Sequence, residues 1–206
     1  IPHSKEWRWR KRSFERIKRY LTVTKAKNLS ILDLGCGNGW MTNRLAENEN
    51  WQVTGVDLNR EELEQAARLF GRENLRFIYA DILQNTLSDD EEVDKFDIII
   101  LAASVQYFSA LPLLITRLRQ LLRKNGEIHL LDSHFYKNEA AREAARQRSQ
   151  TYYQKMGVPE MAAHYHHHLW PELQALGGVN LNRHYFLRLL QKTGYLAPFP
   201  WIRLFK

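Results

Sequence analysis

The chain has 206 residues, 44% of them hydrophobic, and a formal net charge of +7. This length and apolar content suit one domain with a buried core, and no apolar stretch is long enough to cross a bilayer. The single cysteine, Cys36, excludes an internal disulfide and favours a cytoplasmic location, and the charged, tryptophan-rich start predicts no signal peptide.

The first predicted element is a basic helix within residues 1–28. Its arginines and lysines alternate with aromatic residues, a composition that suits nucleic acid or an anionic surface. The spacing of Trp7, Phe14, Ile17 and Leu21 instead favours an amphipathic helix that packs on the domain and exposes its basic face. We favour the packed helix and keep nucleic acid as an alternative partner.

A buried strand is predicted at residues 31–34 (ILDL), directly before the glycine-rich segment 35–39 (GCGNG). Glycine permits positive φ and leaves no Cβ between the backbone and a ligand. A helix predicted from about Trp40 to Glu47 would direct its free N–H groups to the same place. Strand, glycine turn and helix in this order predict a nucleotide site.

The spacing of the glycines disfavours two common phosphate-binding patterns. A dinucleotide-binding turn needs G-x-G-x-x-G, whereas Gly39 comes one position early and Trp40 stands in its place. A phosphate-binding loop needs Lys followed by Ser or Thr, and neither pair follows these glycines. The pattern D-x-G-x-G-x-G over residues 33–39 resembles motif I of the class I S-adenosylmethionine-dependent methyltransferases.

A second strand is predicted over residues 51–57, and it ends in Asp57. A carboxylate accepts two hydroxyl hydrogen bonds as a fork, so Asp57 fits the ribose of a nucleotide, with Leu58 beside it. The alternative for Asp57 is the N-cap of a helix predicted over residues 61–70, although Asn59 is also a good cap for it. Gly71 would end this helix.

The third predicted strand and its exit cover residues 75–82 and end in Asp81 and Ile82. The resemblance implies that Asp81 binds the exocyclic amine of adenine and that Ile82 packs on the ring. A loop aspartate beside a core isoleucine is the alternative. The continuous apolar run 96–102 predicts a central strand buried on both faces, and the resemblance places its last residue, Ala102, beside the methyl donor.

A strongly amphipathic helix over residues 111–122 and a fifth strand over 127–132 complete the alternation of strands and helices. Ligands of such open sheets bind at the carboxyl ends of the strands. The resemblance therefore implies an α/β fold with a doubly wound, mostly parallel sheet of the seven-stranded type, and S-adenosylmethionine as the cofactor. The predicted cofactor-binding residues are Asp33, Gly35, Cys36, Gly37, Gly39, Asp57, Leu58, Asp81, Ile82 and Ala102.

Residues 134–181 form a predicted helical insertion after the fifth strand, and its first predicted helix runs from Asn138, a candidate cap, to Met156. In its second helix, over residues 160–170, His164, His167 and His168 would share one face. That spacing suits a metal ion, but no acidic residue or cysteine is placed to complete the ligand set, so we expect no metal.

We expect one domain made of four parts. They are an N-terminal helical lid (1–28), the cofactor-binding core (29–133), a helical cap over the substrate pocket (134–181), and a last helix with a closing strand (182–206). The resemblance also implies that an arginine of the lid meets the cofactor carboxylate. The closing hairpin is short for this family.

Methyl transfer needs an acceptor atom held in line about 3 Å from the methyl group, and a base only where the acceptor must lose a proton. Our catalytic candidates are His166, His167 and Tyr107. Our substrate-binding candidates are Tyr107, Tyr136, Tyr153 and Tyr165. For each of them the alternative is a packing or surface role.

An aromatic cap favours methyl transfer to an O or C atom of a small, partly apolar metabolite. The predicted end of the fourth strand, residues 101–104 (LAAS), lacks the N-P-P-Y or D-P-P-Y sequence typical of base methylation in nucleic acid. The basic N-terminal segment leaves RNA or an anionic carrier-linked molecule as an alternative substrate. A non-catalytic S-adenosylmethionine-binding module is the second alternative.

Overall fold

The computed structural model describes residues 4–25, 27–84, 87, 95–183 and 185–206. In this part of the chain the main sheet has seven strands: β1 (Leu29–Leu34), β2 (Trp51–Asp57), β3 (Leu75–Tyr79), β4 (Phe96–Ala102), β5 (Leu122–Leu131), β8 (Val179–Asn180) and β9 (Ile202–Phe205). Their order across the sheet is β3-β2-β1-β4-β5-β9-β8. The pairs from β3 to β5 are parallel, and β9 is antiparallel to both of its neighbours.

Helices cover both faces of this sheet. They are α1 (Ser4–Thr24), α2 (Trp40–Leu45), α3 (Arg60–Leu69), α4 (Leu111–Leu121), α5 (Glu139–Lys155), α6 (Trp170–Ala175) and α7 (Tyr185–Lys192). The predicted fold class, a doubly wound and mostly parallel α/β sheet, is confirmed. Among the described residues, no helix has the length and apolar content that crossing a membrane requires.

Strand β4 shows why four successive residues, 98–101, are all apolar, although Asp97 precedes them in the strand. Ile98 and Ile100 pack in the core beneath α1 and α2, whereas Ile99 and Leu101 pack in the core beneath α4. Successive side chains of a strand point to opposite faces, so a strand covered on both sides needs an apolar residue at every position.

Helix α1 packs as its apolar spacing predicts. Phe14, Ile17 and Leu21 are buried against the sheet. Trp7 remains 47% exposed, but the edge of its ring meets Trp40 with 5.6 Å between centroids. Lys5, Arg8, Lys11 and Arg19 are exposed to solvent, whereas the other basic residues of the helix are partly buried.

Several predicted boundaries shift. The third strand covers Leu75–Tyr79, so residues 80–82 form its exit, within the predicted range of strand and exit together. The fifth begins at Leu122, directly after α4. Helix α3 ends at Leu69, one residue before its predicted end, and Phe70 is its C-cap. The expected left-handed glycine cap is wrong, because Gly71 does not have a positive φ.

The first predicted helix of the insertion is present as α5, but the second, over residues 160–170, is wrong. Pro159–His164 form a short 3₁₀ helix. The chain then extends, and His168–Leu169 (β7) pair in parallel with Phe135–Tyr136 (β6). The expected helix face shared by three histidines therefore does not exist.

Two local causes explain this difference. The backbone N–H of His166 donates to the carbonyl of Gln106 (2.7 Å), a tertiary hydrogen bond in place of a helical one. Pro171 lies in the first turn of α6, where its missing N–H is tolerated, whereas it would disrupt a continuous helix.

The closing hairpin is formed by β8 and β9. Strand β9 pairs with β5 through four residues and with β8 through two. Because β8 lies within the segment assigned to the insertion, only β9 was expected from the sequence as a closing strand.

Candidate active site

The glycine turn at the end of β1 adopts the left-handed conformation that its sequence predicts. The φ angles of Gly35, Gly37 and Gly39 are 75°, 53° and 73°. A Cβ on Gly35 would lie 2.4 Å from Ser104, and one on Gly39 would lie 2.7 Å from the ring of Phe77. These two glycines are therefore required by packing within the protein.

Gly37 differs, because a Cβ there would meet only a flexible side chain. Its nearest neighbour would be the Oε2 atom of Glu62, at 2.9 Å. Gly37 also lines both lobes of a cavity at the carboxyl ends of the strands. The missing side chain of Gly37 thus leaves room for a ligand against the backbone.

The first lobe of this cavity has a volume of about 350 Å³. It contains the predicted cofactor residues from β2 and β3, namely Asp57, Leu58, Asp81 and Ile82, together with Tyr107. The loops that follow three different strands therefore bring these residues to one place, as expected for an open parallel sheet.

The second lobe, of about 190 Å³, lies on the other side of Gly37. Asp33 and Ala102 line it from the sheet, as predicted, and Arg10 and Trp7 line it from α1. Helix α1 thus covers this lobe, and Arg10 is the lid arginine that faces it.

Asp57 ties the turn to the neighbouring strand. Its Oδ2 accepts the backbone N–H of Gly37 (2.7 Å), and its Oδ1 accepts the N–H of Asn59 (2.8 Å). The N-cap of α3 is Asn59, so the alternative capping role for Asp57 is wrong. Each carboxylate oxygen retains a lone pair that can accept a further hydrogen bond.

Asp81 is organised in a similar way. Its Oδ1 accepts the backbone N–H of Leu83 (2.9 Å), and its Oδ2 accepts the side-chain amide of Gln84 (2.7 Å). Ile82 beside it is buried. Both residues face the first lobe, where their adenine-binding role remains a prediction.

Asp33 is buried beneath the turn, where its Oδ2 accepts the hydroxyl of Thr42 (2.7 Å). Burial raises the pKa of Asp33 to about 7. Burial, with the negative charges of Asp33 and Asp57, also raises the pKa of the Cys36 thiol. Cys36 therefore stays protonated near neutral pH and acts as a small packing residue rather than a reactive thiolate.

Two non-glycine residues with left-handed backbones line the second lobe: Ala103 (φ 56°) and Asp132 (φ 52°). Strained backbone of this kind concentrates at functional sites. Asp132 accepts the hydroxyl of Ser13 (2.6 Å), and burial raises its pKa to about 6. Asp132 could have been identified from the sequence, because it ends the predicted fifth strand as Asp57 ends the predicted second strand.

The tyrosines predicted to bind substrate form one aromatic cluster, in which Tyr107 follows β4 and the other three belong to the insertion. The ring of Tyr165 meets Tyr107 at 6.0 Å, Tyr153 at 6.1 Å and His167 at 5.2 Å. Tyr136 meets His167 at 5.5 Å. Of these residues only Tyr107 lines the cofactor cavity, so it links that cavity to the cap.

His166 and His167 line a separate groove of about 980 Å³ between α5 and the start of α4. Burial lowers the pKa of both imidazoles, and Nε2 of His167 lies 3.0 Å from the hydroxyl of Ser149. In the described residues no group of three His, Cys, Asp or Glu side chains is placed to hold a metal ion.

Comparison with known proteins defines the family. Residues 25–194 match the methyltransferase domain family. The malonyl-[acyl-carrier protein] O-methyltransferase of Acetivibrio thermocellus is 30% identical over 109 residues, which are 52% of this chain and 36% of that protein. The chain thus spans about a third of that curated relative's length.

Solved structures show the same fold. The YcgJ protein of Bacillus subtilis superposes with a TM-score of 0.63 at 17% identity, covering 95% of this chain and 98% of that one. Phosphoethanolamine N-methyltransferase 2 of Haemonchus contortus, solved with S-adenosyl-L-methionine, gives a TM-score of 0.60 at 16% identity, covering 90% of this chain and 41% of that one.

The chain belongs to the methyltransferase domain family, and its fold is that of the class I S-adenosylmethionine-dependent enzymes. The resemblance carried by the glycine turn is therefore confirmed, and the Haemonchus enzyme holds S-adenosyl-L-methionine on this same fold. The residues present fit that molecule. Gly37 has no side chain to keep a ligand from the backbone, one lobe of the cavity contains Asp57 and Asp81, and the other contains Arg10.

Proposed function

We propose that this protein transfers a methyl group to an O or C atom of a small, partly apolar metabolite. When bound, S-adenosylmethionine supplies a methyl group activated by a positively charged sulfur. The observation that carries the proposal is the two-lobed cavity over Gly37. In it, Asp57 would accept the ribose hydroxyls, Asp81 the adenine amine, and Arg10 would bind the carboxylate.

The aromatic cluster of the cap supports an acceptor with apolar surface. Tyr107 stands at the edge of the cofactor cavity, and Tyr165 and Tyr153 continue the aromatic surface away from it. Such rings pack against a planar or apolar molecule and exclude water from it. Burial raises the pKa of Tyr165 to about 12, so its hydroxyl group stays protonated. The tyrosine hydroxyl groups would therefore donate hydrogen bonds that orient a polar atom of the acceptor.

His166 and His167 remain our candidates for a general base. Because burial lowers the pKa of both, each imidazole is neutral near pH 7 and able to accept a proton. They line the groove beside the Tyr107–Tyr165 contact, so an acceptor that reaches them would extend from the cofactor cavity into the cap.

The test is transfer of labelled methyl groups from S-adenosylmethionine to a panel of small phenols, carboxylic acids and carbon acids. We expect a labelled small molecule, and slower turnover in His166→Ala or His167→Ala with little change in cofactor affinity. His164→Ala, at an exposed position of the same segment, is the matched control. Unchanged activity in both variants would remove these histidines from the chemistry.

A second candidate keeps the enzyme but makes the acceptor anionic, either RNA or a molecule on an acidic carrier protein. Arg8, Lys11 and Arg19 are exposed on α1, and the name of the Acetivibrio relative supports a carrier-linked acceptor. Arg12 and Arg16 favour it less, because they bind Tyr195 and Asn182 within the protein. Salt-dependent retention on RNA or on an acidic carrier would support it.

Cofactor binding without turnover of any acceptor would instead indicate a non-catalytic module.

A further inference from the structure

Four residues line both lobes of the cofactor cavity: Gly35, Gly37, Glu62 and Ala103. Glu62 is the one among them that carries a charge. Its Oε2 atom lies 2.9 Å from the position that a Cβ of Gly37 would occupy. The carboxylate of Glu62 therefore stands over the glycine turn, where the two lobes meet.

The start of α3 explains why this side chain extends into the cavity. Glu62 donates its backbone N–H to the N-cap residue, Asn59 (3.2 Å). In a capping box its carboxylate would accept the N–H of Asn59 in return. That N–H instead donates to Asp57 (2.8 Å), so the Glu62 carboxylate is released from the cap.

The released carboxylate has no hydrogen-bond or ion-pair partner within the described parts of the chain. It is half buried, and burial together with the negative charge of Asp57 raises its pKa. A partly desolvated carboxylate beside a second one is stabilised by any cation that comes near.

The chemistry of the cofactor supplies such a cation at the junction of the lobes. The nucleoside part suits the lobe with Asp57 and Asp81, and the amino-acid part suits the lobe with Arg10. The sulfur atom joins these two parts. It is positively charged before methyl transfer and neutral in the product.

We propose that Glu62 makes this site prefer S-adenosylmethionine over S-adenosylhomocysteine by placing a negative charge against the sulfonium. The inference rests on the cofactor binding of the proposed function and adds a selectivity-determining residue to it. Since the attraction disappears with the positive charge, the same residue favours exchange of product for fresh cofactor.

The experiment is calorimetric titration of three ligands, S-adenosylmethionine, S-adenosylhomocysteine and adenosine, into the wild type, Glu62→Gln and the matched control Glu61→Gln. Glu61 is the exposed neighbour on the same helix turn. We expect Glu62→Gln to lower affinity for S-adenosylmethionine about tenfold and affinity for the other two less than about twofold. Glu61→Gln is expected to match the wild type.

A shorter acid provides a second variant. Glu62→Asp keeps the charge and should retain more of the preference for S-adenosylmethionine than Glu62→Gln. Thermal unfolding of each variant verifies that the comparison is made on folded protein.

Each other outcome overturns the proposal. An equal loss for the two amino-acid-bearing ligands, with adenosine unaffected, would indicate a contact to the amino group. An equal loss for all three would indicate a ribose contact, and no loss would leave Glu62 outside the site. If the wild type binds none of the three, the proposed function fails as well, whereas wild-type binding with unchanged selectivity in Glu62→Gln overturns this inference alone.

Discussion

Gly37 and Asp57 depend on each other at the centre of the site. The carboxylate of Asp57 holds the backbone N–H of Gly37, and the left-handed φ of Gly37 turns that N–H toward β2. Gly37 has no side chain and lines both lobes of the cavity, where only the flexible side chain of Glu62 approaches it. Asp57 therefore shapes the turn, and Gly37 leaves space for the ligand.

Gly37→Ala is expected to lower affinity for S-adenosylmethionine about tenfold or more, because the new Cβ would occupy the ligand's approach at a φ of 53°. Calorimetry measures this. Gly157→Ala is the matched control, since Gly157 has a φ of 78° and a Cβ there would have no heavy atom within 4 Å. Both variants carry backbone strain, so unchanged affinity in Gly37→Ala would refute the role of this turn.

The residues of the glycine turn and the acids at the ends of β2 and β3 could be predicted because strand ends and spacing locate them. Arg10 and Glu62 could not be assigned in the same way. Their places in the cavity depend on how α1 crosses the sheet and on which acceptor takes the N–H of Asn59. Contacts of this kind between elements produce no periodic pattern in the sequence.

At the scale of elements, a buried polar cluster anchors α1 to the sheet. Glu127 on β5 accepts the hydroxyl of Tyr20 (3.0 Å) and pairs with Lys25 (2.7 Å). Nε2 of His129 lies 3.1 Å from Glu127, and Trp201 donates its indole N–H to Nδ1 of His129. Because indole only donates, Nδ1 is unprotonated and Nε2 carries the proton toward Glu127.

Glu127→Gln is expected to reduce the free energy of unfolding by about 3–5 kcal/mol, since Lys25 would lose its buried counter-charge. Urea unfolding followed by circular dichroism measures the loss. The control is Glu143→Gln, which removes the exposed ion pair to Arg146 and should leave the unfolding midpoint unchanged. Equal effects in the two variants would contradict an anchoring role for Glu127.

In the cap, local sequence patterns predict one element correctly and the next one wrongly. Helix α5 was predicted because Asn138 caps it and its residues favour a helix, and that local preference prevails. The following segment also suits a helix locally, but the hydrogen bond from His166 to Gln106 and the proline at position 171 divide it. A tertiary contact of this kind overrides local preference.

At the scale of the whole molecule, the acids that line the cofactor cavity make the ligand-free protein sensitive to pH. Burial raises the pKa of Asp33 to about 7 and that of Asp132 to about 6. In the unfolded chain such carboxyl groups titrate near pH ~4. Between these values each of the two carboxyl groups binds more protons in the folded state than in the unfolded state, so their contribution to stability falls as pH rises.

Without cofactor, we therefore expect Asp33 and Asp132 together to lower the free energy of unfolding by roughly 2–4 kcal/mol between pH 5 and pH 7.5, the window set by their raised pKa values. Burial lowers the pKa of five histidines, which contribute in the opposite direction over the same range: His129, His134, His166, His167 and His168. Urea titrations of the wild type and Asp33→Asn separate the two effects, because both proteins contain the same histidines. As pH rises, the free energy of unfolding of Asp33→Asn should fall less, or rise more, than that of the wild type, and an equal pH dependence would exclude Asp33 as a source.

Sequence order defined most of the architecture, since strands β1 to β5 and their helices follow alternating apolar segments along the chain. The pairing of β8 with β9 was not predictable, because β8 comprises two residues and is a strand through its hydrogen bonds to β9. Strand pairing at the far edge of the sheet thus depends on contacts distant in sequence.

The most direct measurement is a crystal structure of this protein with S-adenosylhomocysteine. We predict the adenosine between Asp57 and Asp81, and the amino-acid part beside Asp33 and Arg10, with the chain passing over Gly37. Density for the ligand in the cap groove near His166, or at the opposite ends of the strands, would contradict the site described here.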